Sequence, residues 1–444
     1  MVLGLNPLFM TVLFIVLIYY LVRSLNDVTA NKFLTPQYPA NENIIIGGID
    51  YIKNEVNEIV DIIRYKDRFN RFNVKHPKGV ILYGPPGNGK TLIAKYIAQQ
   101  AELPFLAVSG SQFVEKFVGT GASRVRRLFS EAKKLSEKHG GCIIFIDEID
   151  SLGSRNVSVV IGHNEAGQTI NEILVQLDGF NERYNIVVIG ATNNLQALDP
   201  AIVRKGRFDR MIFVDYPKLK ARADILRSYL REMKIASDVD IEILAKLSPG
   251  FSGADLANWV NEAAIEAIRS NHEFITLKDF DLARDRIIVG LTNNYVEMSE
   301  EEKRISAYHE SGHALLRMKT SGEVQKVTIR PIGQALGVTY SIPPEINLYT
   351  RPMIENEIKV LLAGRCAEEL FLATTTVGAA DDLRKASELA LRYVSAFGLS
   401  KEFGEYIPAT DKGKYEAENE ARNLLARLKQ ETMQILESSR EEVE

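Results

Sequence analysis

Cysteine is scarce in this 444-residue chain, which has only Cys142 and Cys366. The two are far apart and each sits in apolar surroundings, so the pattern predicts buried thiols in a reducing compartment rather than a disulfide-stapled secreted fold. A dominant charge is also missing. Lys and Arg number 54 against 58 Asp and Glu, a net charge of −4, and no long block of one sign occurs. That removes the electrostatic footprint of a nucleic-acid binder, and no nucleic-acid partner is expected. What is present is an ordinary globular balance, 45% hydrophobic and 25% charged, which excludes disorder and collagen. At roughly 150 residues per domain the length predicts about three domains.

Charge is absent from the start of the chain, with none before Arg23, and Leu8 to Val22 is almost wholly apolar. Together with Met1 to Pro7 this stretch reaches about 33 Å as a helix at ~1.5 Å per residue, enough to cross a lipid bilayer. Tyr19 and Tyr20 fall where an aromatic belt would lie. A cleaved signal peptide would carry a basic leading region, which is missing here. Arg23 and Lys32 follow the span and nothing basic precedes it, so the positive-inside bias places the rest of the chain in the cytoplasm. The expectation is a single-pass anchor over residues 1–23 in a cell (inner) membrane, with a proline-containing polar linker over 24–43.

From Gly79 the sequence reads GVILYG, PPGNGKT, LIAKYIAQQ: a buried strand, a turn and an apolar-periodic helix, the context that a phosphate-binding loop requires. Gly84, Gly87 and Gly89, with Pro85, Pro86 and Asn88 between them, let backbone N–H groups close around the phosphates of ATP. Lys90 reaches the terminal ones and the Thr91 hydroxyl can hold Mg²⁺. Downstream, CIIFIDEID over Cys142 to Asp150 is an apolar strand ending in carboxylates, and acids at such a strand end can face the loop across a parallel sheet. Asp147 suits Mg²⁺ and Glu148 suits polarising the attacking water. A further apolar strand, Ile186 to Gly190, leads to Asn193, whose amide can orient that water. Arg204 and Arg207 then supply guanidinium groups able to stabilise phosphoryl-transfer charge in trans.

On these residues, 44–290 resemble an AAA ATPase module. The resemblance implies an α/β large subdomain over 44–217 with a parallel sheet, a small helical lid over 218–290, and assembly as a ring, usually a homo-oligomeric hexamer. It implies Lys90 and Thr91 as Walker A, Asp147 and Glu148 as Walker B, Asn193 as sensor 1 and Arg204 with Arg207 as trans arginine fingers. Gly253 and Ala254, in GFSGAD, would lie beside the adenine. Phe117-Val118-Gly119 resembles the aromatic pore loop that grips substrate.

A second chemistry begins at His309-Glu310-Ser311-Gly312-His313. Two imidazoles four residues apart on a helix lie about 40° apart on one face, so both can bind one Zn²⁺ while Glu310 acts as general base. A catalytic zinc needs a third protein ligand. Glu368-Glu369 and Asp381-Asp382 both qualify, and spacing does not choose between them. The stretches SAYHESGHALL, ALGVTYSIPP, AGRCAEEL and VGAADDL resemble the peptidase domain of FtsH-type membrane metalloproteases. That resemblance implies a mainly helical zincin domain over 291–444, with Asp382 as the third ligand, Glu368 behind the ligands, and Ala335 to Tyr340 as an edge strand pairing with extended substrate.

Some positions depart from the family pattern. One span stands where the family usually has two with a domain between them, and Gly162 to Gln168 lacks an Arg-Glu pair. Lys205 replaces a usual proline and Ile45 a usual Asp. After Asp411 a charged helix is expected, its Leu425, Leu428, Thr432 and Leu436 packing on the peptidase domain or on a neighbour. The whole pattern predicts a membrane-anchored ATP-dependent zinc endopeptidase acting on unfolded or membrane proteins. The alternative is an ATP-driven unfoldase whose peptidase half is inactive.

Overall fold

The computed structural model describes residues 35–38, 47–65, 68–69, 71–72, 77–113, 120–152, 164–179, 185–289, 298–320, 322–329, 337–342 and 348–443. The expected membrane span, most of the linker, Ile45 and the expected pore loop Phe117-Val118-Gly119 lie outside them. Among the described residues no helix is long and apolar enough to cross a membrane. The chain divides into two compact units, one holding residues up to 231 with 250–258, the other 232–249 with 259–444.

The first unit is built on strands β1 (Gly79–Tyr83), β2 (Phe105–Ser109), β3 (Cys142–Asp147), β4 (Ile186–Thr192) and β5 (Phe208–Phe213), in spatial order β2-β3-β4-β1-β5. All the pairings are parallel. β1, β3 and β4 are buried at nearly every position, as strands covered on both faces must be, and this is why they read as continuous apolar runs. Alternate residues feed opposite cores. Val80, Leu82, Ile143, Phe145, Val187 and Ile189 pack under helices α1 (Lys53–Arg64) and α2 (Lys90–Ala101). Ile81, Ile144, Ile146 and Val188 meet α3 (Thr120–His139) and α4 (Asn164–Asp178). Helix α5 (Leu219–Leu230) follows the sheet. Because the strands are parallel, the C-terminal ends of β1, β3 and β4 share one edge, where such sheets bind ligands.

The second unit begins with α6 (Ile241–Leu247) and most of α7 (Gly253–Arg269), followed by α8 (Leu277–Val289). Trp259 on α7 is fully buried against Phe280 of α8, edge to face with centroids 5.3 Å apart, and its Nε1 donates to Phe280 O at 2.8 Å. A long helix, α9 (Glu300–Thr320), carries the two neighbouring histidines. It is followed by the antiparallel pair β6 (Glu323–Thr328) and β7 (Val338–Ile342), then α10 (Arg351–Leu372), α11 (Ala380–Ser395), α12 (Asp411–Ser438) and the short α13 (Arg440–Val443). α9 and α10 approach closely because their crossing has glycine at its centre: a Cβ on Gly312 would fall 2.6 Å from Ala363 O. α12 packs against α10 and α11, so the expected apolar face does cover this unit's own core. Its fully buried line is Ala417, Leu428, Thr432 and Leu436, joined by Ala421 and Leu424. Leu425, expected in that line, is only half-buried, because the helical stripe runs through Leu424 instead.

Candidate active sites

The first site forms where β1 ends. Gly84, Pro85, Pro86, Gly87, Asn88 and Gly89 make the loop between β1 and α2. Gly87 has φ +77, and a Cβ there would lie 2.6 Å from Ser252 Oγ, so glycine is required on both counts. The segment 250–258 lies directly on this loop: Ala254 N donates to Gly87 O at 3.0 Å. Gly253 and Ala254 owe their position to a capping box at the start of α7. Ser252 N donates to Asp255 Oδ2 at 2.9 Å and Asp255 N returns to Ser252 Oγ at 3.1 Å.

Lys90 is 8% exposed and donates to Gly84 O at 2.7 Å, Pro85 O at 2.8 Å and Asn193 Oδ1 at 2.7 Å. Burial holds its pKa below the ordinary lysine value, against the pull of Asp147 and Asp150. Thr91 Oγ1 donates to Asp147 Oδ2 at 2.9 Å, and the other Asp147 oxygen accepts from Glu148 N at 2.9 Å. Glu148 takes a left-handed turn, φ +48, and is exposed just past the end of β3. The fold therefore brings together the loop, Lys90, Thr91, Asp147, Glu148 and Asn193. Both ends of the Asn88 amide and Asp150 Oδ1 are shielded from solvent with no hydrogen-bond partner among the described residues. A desolvated ammonium and orphaned polar atoms around a glycine-rich loop suit an anion of phosphate type with its Mg²⁺. The two arginines differ. Arg204 is exposed, whereas Arg207 is held bidentate by Asp178, at 3.0 and 2.8 Å, and donates to Ala201 O at 2.8 Å.

The second site lies between α9, α10 and the first turn of α11. His309 Nε2 and His313 Nε2 are 3.1 Å apart, and each is 3.4 Å from Asp382 Oδ2. These three are the one group among the described residues whose donor atoms converge as a metal site requires. The fold also separates the four acids that spacing left level. Asp381 turns away to Arg384 and Lys385, Glu369 pairs with Lys429, and Glu368 lies behind the ligands. Glu368 is 1% exposed and accepts from His309 Nδ1 at 2.6 Å and from Thr376 N at 2.6 Å. His313 Nδ1 donates to Val360 O at 2.7 Å.

These contacts settle the tautomers. A carboxylate and a carbonyl can only accept, so both Nδ1 atoms carry hydrogen, and each ring, when neutral, presents its lone pair at Nε2. Two lone pairs and a carboxylate then face one point, which is repulsive unless a cation sits there. Their spacing matches the edge of a tetrahedron with bonds of about 2.0–2.1 Å, roughly 3.4 Å, so the group fits Zn²⁺. The same field acts on protons. Burial opposes charge on His309, but Asp382 and Glu368 outweigh it and its pKa is pushed up to about 9. Asp382, despite its own burial, is held well below the usual carboxylate range by the two imidazoles.

Two residues here escaped the sequence reading. A Cβ on Gly364 of α10 would lie 2.5 Å from both Nε2 atoms, so glycine forms the wall that leaves the donors room. Its signal was a glycine deep in a helical pattern, where it costs about 1 kcal/mol and so implies a packing reason. The other is Thr339 of β7, whose hydroxyl donates to Glu310 Oε2 at 2.6 Å. Glu310 itself is 7% exposed, one residue along α9 from His309. Strand β7 begins at Val338 and runs on to Ile342, two residues beyond the expected Tyr340; residues 335 and 336 lie outside the described ones.

Comparison with known families places names on both sites. Residues 80–216 match the ATPase family associated with various cellular activities (AAA), 238–282 the AAA+ lid domain, and 296–444 peptidase family M41. The chain carries an AAA domain, an AAA+ lid and an M41 domain. It is similar to proteins named ATP-dependent zinc metalloprotease FtsH. That of Acidobacterium capsulatum is 44% identical over 360 residues, 80% of this chain and 56% of the relative. That of Aquifex aeolicus is 47% identical over 366 residues, 81% and 57%. That of Halothermothrix orenii is 45% identical over 363 residues, again 81% and 57%. The FtsH-type resemblance drawn from the motifs thus holds over about four-fifths of the chain, which spans rather more than half the length of the curated relatives it matches. The M41 and AAA domains imply Zn²⁺, and ATP with Mg²⁺.

Proposed function

We propose that the chain is a membrane-anchored, ATP-dependent zinc endopeptidase that unfolds, translocates and degrades membrane and cytosolic proteins. The observation that carries this reading is the presence in one polypeptide of a phosphate loop faced by Asp147 and of a converging His309, His313 and Asp382 set beside a buried Glu310. Zn²⁺, when bound, supplies a Lewis acid for the scissile carbonyl and for water. His309, His313 and Asp382 hold it, with Glu368 and the Val360 carbonyl fixing the two rings. Glu310 accepts the proton of the attacking water and returns it to the leaving amine.

In the AAA domain the loop backbone and Lys90 bind the phosphates, Thr91 and Asp147 hold Mg²⁺, and Glu148 with Asn193 orients water. Arg204 and Arg207 serve the neighbouring subunit's nucleotide in a homohexameric ring. Since Arg207 is engaged by Asp178, Arg204 is the better placed to reach across. Phe117, Val118 and Gly119 grip the substrate in the pore, and Gly253 and Ala254 border the adenine. The domains take the boundaries 44–217, 218–290 and 291–444, behind an anchor over 1–23 in the inner membrane and a linker over 24–43, on the cytoplasmic side. An unfoldase with an inactive peptidase half is disfavoured, because the metal donors and the base are all present and mutually oriented.

Glu310→Gln is expected to abolish peptide cleavage and leave ATP hydrolysis within about twofold of the parent, a loss set by the general base alone. Glu148→Gln should do the converse, stopping hydrolysis while nucleotide stays bound. Normal cleavage by Glu310→Gln would rule out the zinc peptidase reading.

A further inference from the structure

Glu310 on α9 meets the backbone and a side chain of one strand. A Cβ on Gly337 would come within 2.7 Å of Glu310 Cγ and 2.9 Å of Oε1, so the backbone ahead of β7 presses on the carboxylate from one position. Two residues on, and therefore on the same face of the extended chain, Thr339 Oγ1 lies 2.6 Å from Glu310 Oε2 and 3.1 Å from Glu310 O. The hydroxyl has one proton, and the shorter bond to the charged oxygen takes it. Among the described residues this is the one hydrogen bond that the Glu310 carboxylate receives. A carboxylate so nearly buried would otherwise be free to turn about its terminal torsion, which is broad in glutamate. Among the described residues β7 pairs with β6 alone, and a strand added along its other edge would be the usual way for such a sheet to take an extended peptide.

We propose that Thr339 is the positioning residue for Glu310, and that β7 thereby ties the orientation of the base to the strand on which an extended substrate is laid. The proposal rests on the zinc peptidase reading given above. A substrate strand that adds to β7 orders the same backbone that carries Gly337 and Thr339, so seating the peptide and aiming the carboxylate become one event. Accuracy matters here, since a misplacement of about 1 Å can cost on the order of 100-fold in rate.

The test uses the full-length chain with zinc and ATP, acting on an unstructured peptide. Thr339→Val keeps the shape and removes the hydroxyl; Thr339→Ser keeps the hydroxyl. The expected result is a kcat at least tenfold lower for Thr339→Val, with KM within about twofold, zinc content of one per chain and unchanged ATPase, and a largely restored kcat for Thr339→Ser. A wild-type kcat in Thr339→Val overturns the proposal. So does a defect confined to KM, a loss of zinc alongside the loss of rate, or a Thr339→Ser variant as slow as Thr339→Val. Failure of the underlying reading looks different: the wild-type chain then retains no zinc and cleaves nothing, whatever stands at position 339, and both claims fall together.

Discussion

At the scale of single residues, the peptidase site depends on an atom that is missing. Gly364 sits in the middle of α10, where alanine would favour the helix by about 1 kcal/mol. Its Cβ, however, would occupy the space 2.5 Å from both Nε2 atoms, and those rings cannot retreat while Glu368 and Val360 O hold their Nδ1 atoms. Gly364→Ala should therefore leave a folded chain with normal ATPase but well under one zinc per chain by metal analysis, and peptide cleavage should fall with the metal. A full zinc complement in that variant would show that the rings yield. The contrast with the histidines explains what the sequence could tell. His309 and His313 are four apart on one helix, so local geometry makes them neighbours, and the phosphate loop is legible for the same reason. Asp382 and Glu368 reach the site only through the packing of α10 and α11 on α9, and nothing in the pairs Glu368-Glu369 and Asp381-Asp382 distinguishes their members. Arg384, Lys385 and Lys429 do that by drawing Asp381 and Glu369 away.

At the scale of elements, apolar patterning placed β1, β3 and β4, because each is buried on both faces over nearly its whole length. It was one residue out on α12, where Leu424 rather than Leu425 enters the core. The periodicity of a helix with apolar residues at both positions allows either stripe, and only the neighbouring α10 and α11 decide between them. Leu428, fully buried on that stripe, supplies the prediction for this element. Leu428→Ala should lower the stability of the second unit by about 2–5 kcal/mol, the cost of a leucine-sized cavity, read as a lower denaturation midpoint of the transition that releases zinc. A change below about 0.5 kcal/mol would mean that α12 does not support the peptidase core.

At the scale of the whole molecule, two chemistries occupy separate compact units of one chain. The residues that gather at the phosphate loop and those that gather at His309 and His313 have no member in common. The proposed function couples them, with hydrolysis in the AAA domain delivering unfolded chain to the M41 domain. The measurement that tests it most directly is degradation of a loosely folded protein by the detergent-purified chain with ATP, without ATP, and with ATP plus a zinc chelator. The account predicts cleavage only in the first condition. ATP turnover without cleavage, or cleavage indifferent to ATP and chelator, would contradict it.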